Sequence, residues 1–244
     1  MSMSIELATR GPFAYIDDLE ARLAAATDEP KTALTRLRLM GAVASVLESE
    51  GVHGLRVAPC VARAGVAHGT FYRYWPDGRS AAREVMADFM AAIRRRRPAS
   101  SRDLALYPRI VAANRYYVQV YSLNRGLMRC LQQLADAEPS FARIGQEANL
   151  SLARRVARAW VRSQPEAVAI PESLRLARAL ACIAMVEGVL REILLRPPPE
   201  PLVGMQLTEV ADLISHCWHS MLMGRAPPTG GDVPGLFNAA AAGG

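Results

Sequence analysis

Between Val57 and Trp75 the chain presents two short helical segments that meet at one glycine, Gly65. The first, Val57 to Ala64, tolerates Pro59 because a proline in the first turn gives up only an N–H that has no helical partner there. The second, Ala67 to Trp75, reads AHGTFYRYW and stops at Pro76, Asp77 and Gly78. Before them, Leu37, Met40, Ala44 and Leu47 share one face of a segment from Thr32 to Glu50, closed by Gly51. After them, a longer helical stretch from about Arg79 to Arg97 ends against Pro98. Two short helices across a tight glycine turn, flanked by longer ones, predict a helix-turn-helix.

The rest of the chain extends the same helical pattern. Its apolar residues are mostly Ala, Leu, Val and Met rather than a strand-like mix. Proline and glycine break the remainder into five segments, about 104–123, 125–137, 139–163, 172–196 and 207–224. The expected fold class is all-α, with an N-terminal helix-turn-helix domain at 31–98 and a larger helical bundle at 101–224. Residues 1–30 read as an N-terminal extension with room for one short helix. The Gly, Pro and Ala-rich residues 225–244 read as a flexible tail.

Charge is unevenly spread. Residues 1–30 carry a net −4, residues 31–98 a net +7 and residues 99–244 a net +3. A block of positive charge attracts a polyanion, and double-stranded DNA is the natural partner for one built around a helix-turn-helix. A membrane-surface role would instead set basic residues opposite a continuous apolar stripe, and that arrangement is missing. No segment reads as a signal peptide or a bilayer span, so the expected location is cytoplasmic. Cys60, Cys130, Cys182 and Cys217 lie far apart in apolar patterns and read as reduced thiols.

The second short helix divides by spacing. Phe71 and Trp75, four apart, can anchor to the flanking helices, leaving His68, Gly69, Thr70, Tyr72, Arg73 and Tyr74 for DNA. Gly69 permits close approach to base edges. Thr70 and Tyr72 suit hydrogen bonds to phosphates or bases, and His68 is best placed for base readout. Small Ala62 and Ala64 allow the steep crossing of the two helices, and Gly65 allows the left-handed turn.

The run AGVAHGTFYRYWPD resembles the segment AGVS-x-GT-[LF]-Y-x-Y-F-P of bacterial transcriptional regulators of the TetR family, and the preceding helix, ending in ESEG, fits as well. The similarity is carried by motif over residues 33–93 and by helix pattern over 101–224. The chain departs from that pattern at three places. Ala67 stands where the family has a capping Ser, Arg56 where it has Thr, and Gly78 followed by Arg79 where it has Lys. Arg56 and Arg79 are therefore the expected phosphate contacts. The resemblance implies a homodimeric repressor, released from a palindromic operator by a small apolar or amphipathic effector; a ligand-independent regulator or an activator on the same fold is the alternative. It also implies an effector pocket and a four-helix dimer interface in the larger domain. Tyr107, Tyr116, Tyr117, Tyr121, Met128, Phe141 and Trp160 are the pocket candidates. Leu180, Ile183, Ala184, Glu187, Gly188, Leu190, Arg191, Val210, Leu213, Ile214, Cys217 and Met221 are the interface candidates.

Other constellations have plainer readings. His216, Cys217 and His219 suggest a metal cluster, but Cys217 fits an apolar stripe and the histidines read as a structural pair beside the interface. Asp17, Asp18 and Glu20 form one acidic cluster, expected to be solvated surface. Arg94 to Arg97 close a helix, where cations favour the macrodipole. An all-α enzyme acting on a lipid-like substrate would need paired acidic metal sites or a nucleophile with its base. Neither is present, so no enzyme activity, cofactor or metal is expected.

Overall fold

A computed structural model describes residues 13–97, 105–198 and 200–224, and every regular element among them is helical. The helices are α1 Tyr15–Ala25, α2 Lys31–Gly54, α3 Val57–Ala64, α4 His68–Phe71, α5 Gly78–Arg96, α6 Leu106–Leu123, α7 Arg125–Ala137, α8 Pro139–Ser163, α9 Glu172–Leu190 and α10 Leu207–Met223. A π-helical turn, Arg191–Leu195, prolongs α9. These bounds follow the breaks read from proline and glycine. The expected tail at 225–244, residues 98–104 and the first twelve residues lie outside the described residues. No described helix is long and apolar enough to cross a membrane.

The chain forms two compact units. One comprises residues 1–97 with 120–144, the other 98–119 with 145–244. The helix-turn-helix head therefore has partners beyond the 31–98 span read from sequence: it packs with α1, with α7 and with the residues flanking α7.

In the first unit α2 is the central wall. Leu39, Val43, Ala44, Val46 and Leu47 are fully buried along it. Gly51 ends the regular helix by adopting φ 75°, a left-handed value that glycine reaches without Cβ strain. Against α2 lies α7, and its N-terminus is closed by a side chain from α2. The Glu48 carboxylate accepts hydrogen bonds from the backbone N–H of Gly126 and of Leu127, each 2.8 Å long. Those N–H groups have no partner within α7, and a negative charge there also complements the helix dipole. The approach is close enough that a Cβ at Gly126 would stand 1.9 Å from the Glu48 carbonyl oxygen.

The N-terminal extension is better packed than its sequence suggests. Phe13, Tyr15 and Leu19 are buried. Asn124, itself 2% exposed, accepts from the Tyr15 N–H at 2.8 Å and donates to the carbonyls of Phe13 and Val120 at 2.9 Å each. The Tyr15 hydroxyl donates to Asp88 at 2.8 Å, and burial followed by the Asp88 charge pushes its pKa up. The acidic cluster is accordingly not all solvated surface. Asp17 and Glu20 are exposed, but Asp18 is buried and accepts from Arg96, with the Nε bond at 2.9 Å. Through Arg96 part of the 94–97 run is thus spent on holding α1, while Arg95 lies 3.7 Å from Asp88 of its own helix.

The turn between α3 and α4 forms as the sequence implies. Gly65 takes φ 65° and ψ 39°, and the Val66 N–H returns to the Val61 carbonyl, a Schellman closure. Ala64 is buried at the crossing, whereas Ala62 is exposed, so only one of the two small residues serves the packing. Ala67 holds the extended geometry of an N-cap, φ −64° and ψ 148°, yet offers no side-chain acceptor to α4. Three cysteines are core groups: burial pushes the Cys60 and Cys130 thiols up to about 11 and that of Cys182 up to about 12.

Two substitutions test this architecture. Gly126→Ala is expected to lower unfolding stability by about 3 kcal/mol, because backbone rather than a movable side chain blocks the new methyl; an effect below a few tenths in chemical denaturation would refute the close approach. Ala67→Ser is expected to raise stability by about 1 kcal/mol by supplying the missing cap, read as a rise in the thermal midpoint.

Candidate nucleic-acid interface

The head presents a short outward turn held from below. Phe71 is 1% exposed and Trp75 is 3% exposed, so both serve as the anchors their spacing implies. Their rings lie 5.2 Å apart, and the Trp75 indole N–H donates to Glu84 of α5 at 3.0 Å. Glu84 also pairs with Arg36 of α2. One carboxylate thus joins the recognition segment to both flanking helices.

Above the anchors, His68, Gly69, Tyr72 and Arg73 are exposed and Thr70 is half-buried. The imidazole of His68 packs against the Tyr72 ring at 5.6 Å, and Tyr72 is 51% exposed. Only residues 68–71 are α-helical. Beyond them the chain continues as turns, with Arg73 N–H to Thr70 O at 3.3 Å and Tyr74 N–H to Phe71 O at 3.0 Å. Tyr74 departs from the expected DNA face. It is half-buried, and its hydroxyl donates to the Thr32 carbonyl at 3.0 Å, tying the turn to the start of α2.

The two arginines expected on phosphate have protein partners. Arg56 is exposed and donates to the carbonyls of His53 and Leu55 at 2.7 and 3.1 Å, where α2 ends. Arg79 donates through Nε to Glu138 at 2.6 Å, and Arg83 reaches the other carboxylate oxygen at 3.3 Å. Sequence reasoning missed Glu138, because a single acid between two helices carries no periodic signal. At the start of α5, Asp77 accepts from the Ser80 N–H at 2.7 Å, and that hydrogen bond holds its carboxyl below the usual range.

The seven pocket candidates are divided between the two units. Tyr121, Met128 and Phe141 are buried in the first unit, whereas Tyr107, Tyr116, Tyr117 and Trp160 belong to the second. An open cleft of about 390 Å³ in the second unit includes Trp160 alone among them, beside Gln164, Glu166, Ile170 and Arg178. Arg178 lies over the Trp160 ring at 5.8 Å. The second unit also contains a polar strip between α6 and α10. Asn114 donates to Ser215 at 3.1 Å, Arg115 meets Asp212 at 3.4 Å and the Tyr107 ring lies 5.2 Å from that of His219. Burial, with the Asp212 charge next, pushes the Tyr107 pKa up. Asp212, Ser215 and His219 recur at three and four residues in an apolar helix, a signal that was open to sequence reading. Among the described residues no group of three or more His, Cys, Asp or Glu side chains is placed to hold a metal ion.

The interface candidates split by burial. Ile183, Leu190, Val210 and Ile214 face the interior of their own unit and are 5%, 0%, 0% and 1% exposed. A two-helix stripe chosen by apolarity cannot tell the core-facing side from the outer side, which explains the mixture. Leu180, Ala184, Glu187 and Met221 are exposed, and Gly188, Arg191, Leu213 and Cys217 are half-exposed.

No protein-family model matches the chain. A curated relative, an uncharacterized HTH-type transcriptional regulator of Mycobacterium bovis, is 38% identical over 76 residues, 31% of this chain and 40% of the relative. The match thus spans less than half of that relative's length. Solved structures align over much more of the chain. A Mesorhizobium loti protein assigned to the TetR family of transcriptional regulators superposes with a TM-score of 0.62 at 14% identity, covering 82% of this chain and 100% of its own. A TetR-like transcriptional regulator from Rhodococcus gives 0.58 at 16% identity, covering 80% and 99%. A second Rhodococcus transcriptional regulator gives 0.60 at 18%, covering 76% and 96%. The chain has the fold of the TetR-family transcriptional regulators.

Proposed function

We propose that the chain is a DNA-binding transcriptional regulator that acts as a homodimer on a palindromic operator. The observation that carries this reading is the exposed set His68, Gly69, Tyr72 and Arg73, with half-buried Thr70, mounted on the buried anchors Phe71 and Trp75 within a TetR-type fold. Side chains with no packing duty, on a turn fixed from beneath, are what base readout requires. Residues 31–98 read DNA in this account, with Arg56 and Arg79 contributing to phosphate, and residues 101–224 dimerise and bind an effector.

Dimerisation is assigned to the outer side of α9 and α10, with Leu180, Ala184, Leu213, Cys217 and Met221 as its apolar contacts. Gly188 allows the helices of two copies to approach closely. Two recognition turns about 34 to 36 Å apart can then enter successive major grooves. We assign repression released by a small amphipathic effector to this dimer, the polar strip of Asn114, Asp212, Ser215 and His219 being its natural source of polar contacts. Coupling requires only that the effector bind one spacing of the two heads better than the other.

Selection from randomised duplexes at low salt is expected to enrich one palindrome; recovery of no palindrome would remove the specific-regulator reading. Leu213→Glu is expected to convert the dimer to a monomer in analytical ultracentrifugation and to lower operator affinity at least tenfold. A variant that stays dimeric would displace the interface from this face.

A further inference from the structure

Glu138 occupies the corner between α7 and α8 and is 8% exposed. Its two oxygens are divided between two arginines from the first turns of α5. Oε1 accepts from Arg79 Nε at 2.6 Å, and Oε2 from Arg83 at 3.3 Å. The arginine side chains are 60% and 46% exposed, so both guanidinium groups keep edges open to solvent while the carboxylate does not. A carboxylate withdrawn from water needs counter-charge close by, and these two arginines supply it.

Position makes the trio more than a structural pair. The chain leaves the recognition turn at Trp75 and enters α5 at Gly78, so Arg79 stands four residues from a buried anchor of the DNA face. Carboxylate and phosphate are alternative partners for the same guanidinium fork. A phosphate arriving beside α5 meets arginines that are already engaged.

We propose that Glu138 is an intramolecular competitor for DNA phosphate, holding Arg79 and Arg83 in the free protein and yielding at least one of them on binding. The proposal rests on the DNA-binding reading above and adds a control point to it. The placing of the α7–α8 corner sets how many arginines the head can offer. A shift of that corner therefore changes affinity for every DNA sequence alike while leaving the base-reading turn untouched. Partly exposed ion pairs are individually weak, which puts the expected effect at about two- to fivefold in affinity.

The test uses the full chain and a fluorescent duplex carrying the enriched palindrome, or a random 30-base-pair duplex if none is enriched, at low salt. Glu138→Gln, nearly the same in shape but uncharged, is expected to bind about two- to fivefold more tightly than the wild type. The gain is expected to vanish when Glu138→Gln is placed on Arg79→Ala with Arg83→Ala. Glu138→Asp keeps the charge but shortens the reach, and is expected to show a smaller gain in the same direction; it serves if the glutamine variant fails to fold. Equal or weaker binding by the folded variants overturns the proposal, as does a gain that persists without the arginines. If the wild type binds no duplex but Glu138→Gln does, masking is supported in its strongest form. If neither binds any duplex, the DNA-binding reading falls and takes the proposal with it.

Discussion

The first unit depends on one half-buried arrangement: the Glu48 carboxylate on the N–H groups of Gly126 and Leu127 in the first turn of α7. Glu48 belongs to the same helix that supplies Leu39, Val43, Val46 and Leu47 to the core of the DNA-binding head. The contact therefore fixes α7 against the head by direction as well as by area. Apolar burial alone would permit α7 to slide along α2. A two-bond anchor at one end, with no room for a side chain at Gly126, sets the register. Cys130 one turn further on, its thiol donating to the Leu47 carbonyl at 3.4 Å, repeats the register at a second point.

Charge is used at both ends of α5 in a related way. At its C-terminal end Asp18 takes Arg96 and Asp88 takes Arg22 at 2.6 Å, and these two pairs bind α1 to the head. At its N-terminal end Glu138 takes Arg79 and Arg83. The net +7 of residues 31–98 is thus partly met by acids from outside that span, namely Asp18 and Glu138. These two acids offset two of the seven excess charges. Exposed and not paired to an acid are side chains such as Arg56 and Arg73.

The helices and their breaks were legible because proline, glycine and a 3.6-residue period act locally. Pro139, Gly51 and Gly65 each end or begin an element where the pattern says they should. The anchors Phe71 and Trp75 were legible for the same reason. Pairings across long stretches of chain were not. Asn124 meeting Tyr15, Asp18 meeting Arg96 and Glu138 meeting Arg79 span separations of 109, 78 and 59 residues, and no periodicity encodes them. The division of the pocket candidates between two units was not legible, because apolar periodicity says that a residue is buried but not with whom. The interface stripes failed in part for a related reason: Val210 and Leu213 look alike in sequence, yet one faces the core and the other lies half-exposed.

The recognition segment shows how these long-range contacts serve a short element. Four helical residues without a capping side chain have little stability of their own, since a single turn forms few internal hydrogen bonds. Its shape is imposed instead. Trp75 is fixed to Glu84 of α5, Glu84 to Arg36 of α2, and the Tyr74 hydroxyl to the Thr32 carbonyl where α2 begins. Every one of these contacts comes from the inner or lateral side of the turn. The outer residues His68, Gly69 and Arg73 are thereby spared the main burden of holding the fold, so they can vary without unfolding the head. A chain built this way can change what it reads while keeping the frame that presents it.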